Sequence, residues 1–107
     1  MYKFIAHGNY TVEGTKGLIR DGGSARKEAI AKMAASVGGE LETLYYSAAS
    51  PSYFVVFNLP NKLAAAAIGA AIIASGGVTI TESMELLTPG EMDEVVKKMP
   101  SYRAPGQ

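Results

Sequence analysis

The chain has no cysteine, no tryptophan and only one histidine among its 107 residues. Without cysteine there is no disulfide framework, no thiol nucleophile and no thiolate metal site. One histidine excludes a site built from several imidazoles of one chain. The carboxylates are scattered without a recognisable ligand spacing, so no metal and no cofactor is expected. Charge of one sign is lacking too. Ten basic and ten acidic residues cancel, which leaves no overall positive field to draw nucleic acid or an anionic membrane. The longest apolar run, Leu63 to Ala74, is mostly alanine and falls well short of the roughly 20 residues that cross a bilayer. The opening residues Met1-Tyr2-Lys3-Phe4-Ile5 lack the charged and long apolar regions of a signal peptide. Together these absences predict a soluble, cytoplasmic protein with neither nucleic acid nor membrane as partner.

What is present is enough for one core. Hydrophobic residues are 48% of the chain and charged ones 19%, apolar enough to exclude disorder and ordinary for a globular domain. The length predicts a single domain over residues 1–100, with 101–107 a flexible tail. Tyr2 to Asn9 reads as a first strand, and Gly14 to Asp21 as a connector with at most a helical turn. Ser24 reads as the N-cap of a helix whose buried stripe is Ile30, Met33, Ala34 and Val37, at i, i+3, i+4, i+7. Gly38-Gly39 closes it. Glu40–Ser47 and Tyr53–Leu59 follow as a hairpin around Pro51. Asn61 caps a second helix to about Ser75, Gly76-Gly77 ends it, and Val78–Leu87 is a fourth strand. Thr88-Pro89-Gly90-Glu91 has the form of a capping box with proline at the first helical position. It opens a final helix that is expected to bury Met92, Val95, Val96 and Met99.

The order predicts an α+β fold, a ferredoxin-like β-α-β-β-α-β sandwich with an additional C-terminal helix. Such a sheet carries helices on one face only, and a monomer's other face should be polar. Here Tyr53-Phe54-Val55-Val56-Phe57 puts large apolar groups on both faces, and Phe4-Ile5 does the same. Leu63 to Ala74 offers no polar side chain for a solvated back. An apolar face of this kind usually marks an interface, so the expected partner is the chain itself. Two sandwiches face to face, a dimeric α+β barrel, would enclose a shared cavity. The alternative is that the final helix folds over the open face within one chain.

Several stretches also resemble a known family. Gly17-Leu18-Ile19, Gly22-Gly23-Ser24-Ala25-Arg26 and Gly38-Gly39-Glu40-Leu41-Glu42 are similar to the first half of GYD-domain proteins. The similarity continues through Leu59-Pro60-Asn61, Ala74-Ser75-Gly76-Gly77-Val78 and Leu86-Leu87-Thr88-Pro89. The resemblance implies small bacterial proteins related to the dimeric α+β barrels, with no settled activity to carry over. The family's namesake Gly-x-Tyr-Asp stretch is not retained: its positions are Ala49, Ser50, Pro51 and Ser52.

The candidate chemistry is sparse. His7, the chain's one imidazole, lies in a central strand on the face of Lys3, Ile5 and Asn9. It is a candidate general base or ligand-orienting group, with Asn9 as hydrogen-bond partner. Tyr10, Tyr45, Tyr46 and Tyr53 lie in strands or at their ends. With His7 and Asn9, Tyr10, Tyr45 and Tyr53 are candidates to line a pocket for a small apolar or aromatic ligand, although ordinary strand packing is the more expected role for any single tyrosine. Glu82 shares the face of Val78, Ile80, Met84 and Leu86 by strict alternation. Buried there it would be a second catalytic candidate; at a sheet edge it would serve only to discourage wrong pairing. Arg20, Gly22, Gly23, Ser24 and Arg26 form a glycine-rich helix entry with two cations, a weak anion-site candidate that matches no phosphate-binding fingerprint. The expected function is binding of a small molecule in the inter-sheet cavity. A cofactor-independent isomerase, cyclase or monooxygenase using that cavity is the alternative, followed by a structural assembly module.

Overall fold

A computed structural model describes residues 1–107. Its elements run β1 (Tyr2–Tyr10), α1 (Val12–Asp21), α2 (Gly23–Ser36), β2 (Glu40–Tyr46), β3 (Ser52–Leu59), α3 (Lys62–Ala74), β4 (Val78–Leu86) and α4 (Pro89–Lys97). The four strands form one antiparallel sheet in the order β2-β3-β1-β4, an α+β arrangement compatible with a ferredoxin-like fold. No helix is long and apolar enough to cross a membrane.

Most boundaries follow from local chemistry. Asn61 caps α3 by accepting from the Ala64 amide at 2.9 Å. Thr88 and Glu91 close the reciprocal capping box of α4. Gly38 ends α2 in the left-handed region, at φ 79°.

Two entries differ from the sequence reading. The stretch from Val12 to Asp21 is a full helix rather than a connector, because the Thr11 hydroxyl accepts from the Gly14 amide and also donates to the Gly76 carbonyl. Ser24 is not a cap: Gly22, at φ 83°, turns the chain from α1 straight into α2, which begins at Gly23 without a side-chain cap.

The core lies between the helices and one face of the sheet. Tyr53, Val55, Phe57 and Leu59 alternate inward along β3 and meet Ala34 of α2 and Ala64 and Ile68 of α3. Only nine residues are buried, a small core for this length, so each of them carries a large share of the burial free energy. Both edge strands contain a bulge. Glu42 is the extra residue of β2, between Leu41, opposite Phe57, and Thr43, opposite Val56. Thr81 is the extra residue of β4, because His7 pairs with Glu82 and Gly8 with Ile80. A bulge turns the following residues to the other face. Val78 and Ile80 therefore face the helices, while Glu82, Met84 and Leu86 face away. The expectation that Glu82 shares a face with Val78 and Ile80 fails for that reason.

α4 departs most from expectation. None of its residues is buried, and Met92, Val95, Val96 and Met99 are all exposed. Its pattern is amphipathic, but nothing in the same chain packs on the apolar side. It covers neither sheet face and projects from the body, which measures 57 × 33 × 23 Å overall. The radius of gyration of 16.9 Å exceeds the about 13 Å of a compact chain this long.

Gly69, inside α3, offers a simple test of the helix packing. A methyl added there meets nothing within 4 Å. Gly69→Ala should therefore stabilise the helix by about 1 kcal/mol and raise Tm by about 4–8 °C in a thermal melt.

Candidate functional site

The residues singled out in the sequence fall on two sides of the sheet. His7, Asn9, Tyr45 and Glu82 lie on the open face, whereas Tyr10 and Tyr53 lie on the helix face, as their strand partners require. They do not line one common pocket.

On the open face one row crosses all four strands: Tyr45, Phe54, His7 and Glu82 are successive register partners. The His7 ring stacks on Phe54 at 4.3 Å between centroids and 12° between planes. Glu82 is the register partner of His7 on β4, although the two side chains make no hydrogen bond or ion pair. Glu82 is exposed rather than buried, the edge position that the sequence left open. Asn9 is also exposed, and its side chain makes no hydrogen bond to His7. The next row, Thr43, Val56, Ile5 and Met84, is apolar at its centre. Beyond it lies a polar cluster in which the Lys3 ammonium donates to Glu42 and, at 3.1 Å, to the Asn58 side-chain oxygen. The Asn58 amide donates in turn to Glu42. Lys3 first, and Asn58 after it, hold the Glu42 carboxyl below its ordinary range. The face therefore has an aromatic row with the imidazole, an apolar middle and a neutralised polar end. Tyr45 is 68% and Phe54 41% exposed.

The helix side carries a different feature, absent from the sequence reading as a cavity. A cleft of about 420 Å³ lies among α1, α2, α3 and the start of β4, within the about 300–1,000 Å³ of small-molecule pockets. Leu18, Ile30, Met33 and Ile72 supply apolar wall, and Tyr10 and Tyr53 close one side. The two rings meet edge to face at 6.0 Å and 81°. The Tyr53 hydroxyl already donates to the Thr79 carbonyl at 2.9 Å. Tyr46 packs beside Tyr10 at 6.1 Å, and burial, followed by the neighbouring Tyr10 hydroxyl, pushes its phenol well above the usual range.

Arg20, Asp21 and Arg26 also line this cleft. Arg20 donates twice to Asp21, at 2.9 and 3.3 Å; that bonding is the main cause that raises the Arg20 pKa and lowers that of Asp21. Of the anion-site candidates Arg20, Gly22, Gly23, Ser24 and Arg26, only the two arginines line the cleft. Gly22, Gly23 and Ser24 are exposed at the α1–α2 junction. The sequence pointed to these arginines as a helix entry, but nothing in the pattern showed that α1, read as a connector, would form the cleft's outer wall.

The model of the GYD domain matches residues 4–96. The chain belongs to the GYD-domain family. The match takes in β1 from Phe4, the other three strands, α1 to α3 and nearly all of α4, as the resemblance had implied. No curated protein and no solved structure matches this GYD-domain chain. At the family's namesake stretch, Ser52 is buried at the start of β3 with its hydroxyl 3.2 Å from that of Ser50. Pro51 contributes its carbonyl to the Tyr10 amide at 2.7 Å. In this GYD domain the stretch therefore fixes the end of the hairpin through neutral groups.

Proposed function

We propose that this GYD-domain protein binds a small apolar or aromatic molecule between the open faces of two ferredoxin-like sheets, in a dimeric α+β barrel or larger homo-oligomer. The observation that carries the reading is the open face itself: Phe54, Val56, Ile5 and Met84 form an apolar centre that no helix of the chain covers. The accessible surface supports self-association in general rather than one face. The chain exposes 7339 Å², against about 5,700 Å² for a folded monomer of its mass. The exposed α4 and the residues after it contribute to that excess beside the open face. A ligand held there would meet the stacked His7–Phe54 pair and Tyr45, with affinity from apolar area and orientation from His7 and Asn9.

One observation favours an enzyme as the second reading. His7 and Glu82 are register partners on that face, a base and a carboxylate side by side in a position to move a proton between atoms of a bound substrate. An isomerase, cyclase or monooxygenase without cofactor would need such a pair. Turnover would then fall on His7→Ala and on Glu82→Gln, and turnover unchanged in both variants removes this mechanism.

The binding reading is tested by mass in solution. Multi-angle light scattering at micromolar concentration should report a dimer or larger species, and Ile5→Asp, a charge at the centre of the apolar rows, should give a folded monomer. A wild-type monomer under those conditions would sink the shared-cavity reading.

A further inference from the structure

We infer that the helix-side cleft is a separate binding site, independent of any oligomer, for a small amphipathic monoanion: one aromatic or branched apolar body carrying a single carboxylate. Its size, lining and charge each narrow the ligand. The volume of about 420 Å³ accommodates a body of one or two rings. The wall of Leu18, Ile30, Met33 and Ile72 takes apolar surface, and the Tyr10 ring adds an aromatic face against which a flat ligand can pack edge-on or offset.

The charge selects the head group. Arg20 and Asp21 satisfy each other. Arg26 is half-buried, and its guanidinium makes no ion pair or hydrogen bond within the chain. Asp21 also attracts Arg26 through space but is bonded to Arg20, so Arg20, Asp21 and Arg26 together leave the cleft one net positive charge. A guanidinium removed in part from water and left without an acceptor calls for one, and a carboxylate matches its planar fork in two parallel bonds. A dianion would exceed the cleft's single net positive charge, and a cation would meet two arginines with only Asp21 to offset them.

Gly17 makes the site testable without damage to the fold. It lines the cleft from α1, and a Cβ added there would meet only the Arg20 guanidinium, at 4.0 Å. A leucine at this position grows into the cleft while improving helix propensity. The probes are 3-phenylpropionate and indole-3-acetate, with 3-phenylpropionamide as the uncharged counterpart. They are titrated into full-length protein and into the Ile5→Asp variant, followed by calorimetry and by amide chemical shifts.

The acids should bind both proteins alike and perturb amides of α1, α2 and the start of β4. The amide should bind roughly tenfold or more weakly, since a charge-assisted bidentate pair is replaced by a neutral contact. Arg26→Gln should bring the acids down to the affinity of the amide. Gly17→Leu should abolish binding of all three with Tm kept or raised. The inference is overturned if neither acid binds, if acid and amide bind equally, if Arg26→Gln leaves acid affinity unchanged, or if Gly17→Leu retains binding. Shifts confined to β1 and β3 residues of the open face would also overturn it and assign the ligand to the other site. Because the Ile5→Asp protein is tested in parallel, loss of the oligomer and loss of the cleft give different results.

Discussion

Gly8→Ala is expected to remove a large share of the stability of the protein. An added Cβ would stand 1.8 Å from the Thr79 carbonyl oxygen and 2.8 Å from the Tyr53 hydroxyl. Neither neighbour can yield cheaply. Thr79 belongs to the β4 backbone paired with β1, and Tyr53 is buried, with its hydroxyl bonded to that same Thr79 carbonyl. The missing side chain of Gly8 is what lets Tyr53, its register partner on β3, lie across β1 and reach β4, an aromatic ring covering a glycine in the sheet. Overpacking costs about 1–3 kcal/mol, and a buried hydroxyl that loses its partner adds about 1–3 kcal/mol. A loss of about 2–6 kcal/mol stands against a total stability of about 5–15 kcal/mol for a domain. Urea denaturation followed by circular dichroism measures it. Gly17→Ala, the same change in open space, is the control and should stabilise. A Gly8→Ala midpoint within error of wild type would show that the close approach of β1 and β4 is absent.

Phe57→Ala and Phe54→Ala should separate folding from association, because the two rings stand on one strand and point to opposite faces. Phe57 is 3% exposed, in the core formed with Val55, Leu59, Ala34 and Ile68. Its truncation leaves a cavity and should cost about 3–5 kcal/mol, seen as a lower urea midpoint at every protein concentration. Phe54 is 41% exposed in the single chain and stacked only on His7. If a second copy covers the open face, Phe54→Ala removes a large aromatic group from the centre of that interface. The dimer dissociation constant should then rise about tenfold or more, while the monomer's stability changes little. Sedimentation over a concentration series reads the first quantity and denaturation of the Ile5→Asp background the second. An unchanged dissociation constant would remove Phe54 from the interface and, with it, the facing-sheet geometry.

The parts of the fold legible in the sequence are those set by short-range chemistry. The Asn61 cap, the Thr88–Glu91 capping box and the left-handed Gly38 each depend on residues within one turn, and each is found where the sequence indicates. α1 was not legible as a helix because Gly14 and Gly17 lower its intrinsic propensity. Its N-terminus is instead held by Thr11 bonding across to Gly76, a contact between residues far apart in sequence. The burial expected of Met92, Val95, Val96 and Met99 failed because periodicity reports which side of a helix is apolar and cannot report what lies against it. The candidate site was legible only in part. His7 and Glu82 were both singled out, but their pairing depends on the register of β1 against β4. Tyr10 and Tyr53 were grouped with His7 although strand parity puts them on the opposite face. Arg26 was noticed for its charge, yet the cavity beside it exists only when three helices come together.

The extra residue at Thr81 has a consequence for how this chain can change over time. In a regular strand, Val78, Ile80, Met84 and Leu86 would all answer to one environment, and any substitution among them would be judged by the same packing. With the bulge between them, the first pair is constrained by the hydrophobic core and the second by whatever meets the outer surface. Sequence drift at Met84 and Leu86 can retune self-recognition while the interior stays intact. Deleting Thr81 would leave both pairs on their present faces, since Ile80 and Glu82 then alternate as neighbours in a regular strand; pairing Thr81 into the ladder instead would turn Met84 and Leu86 inward.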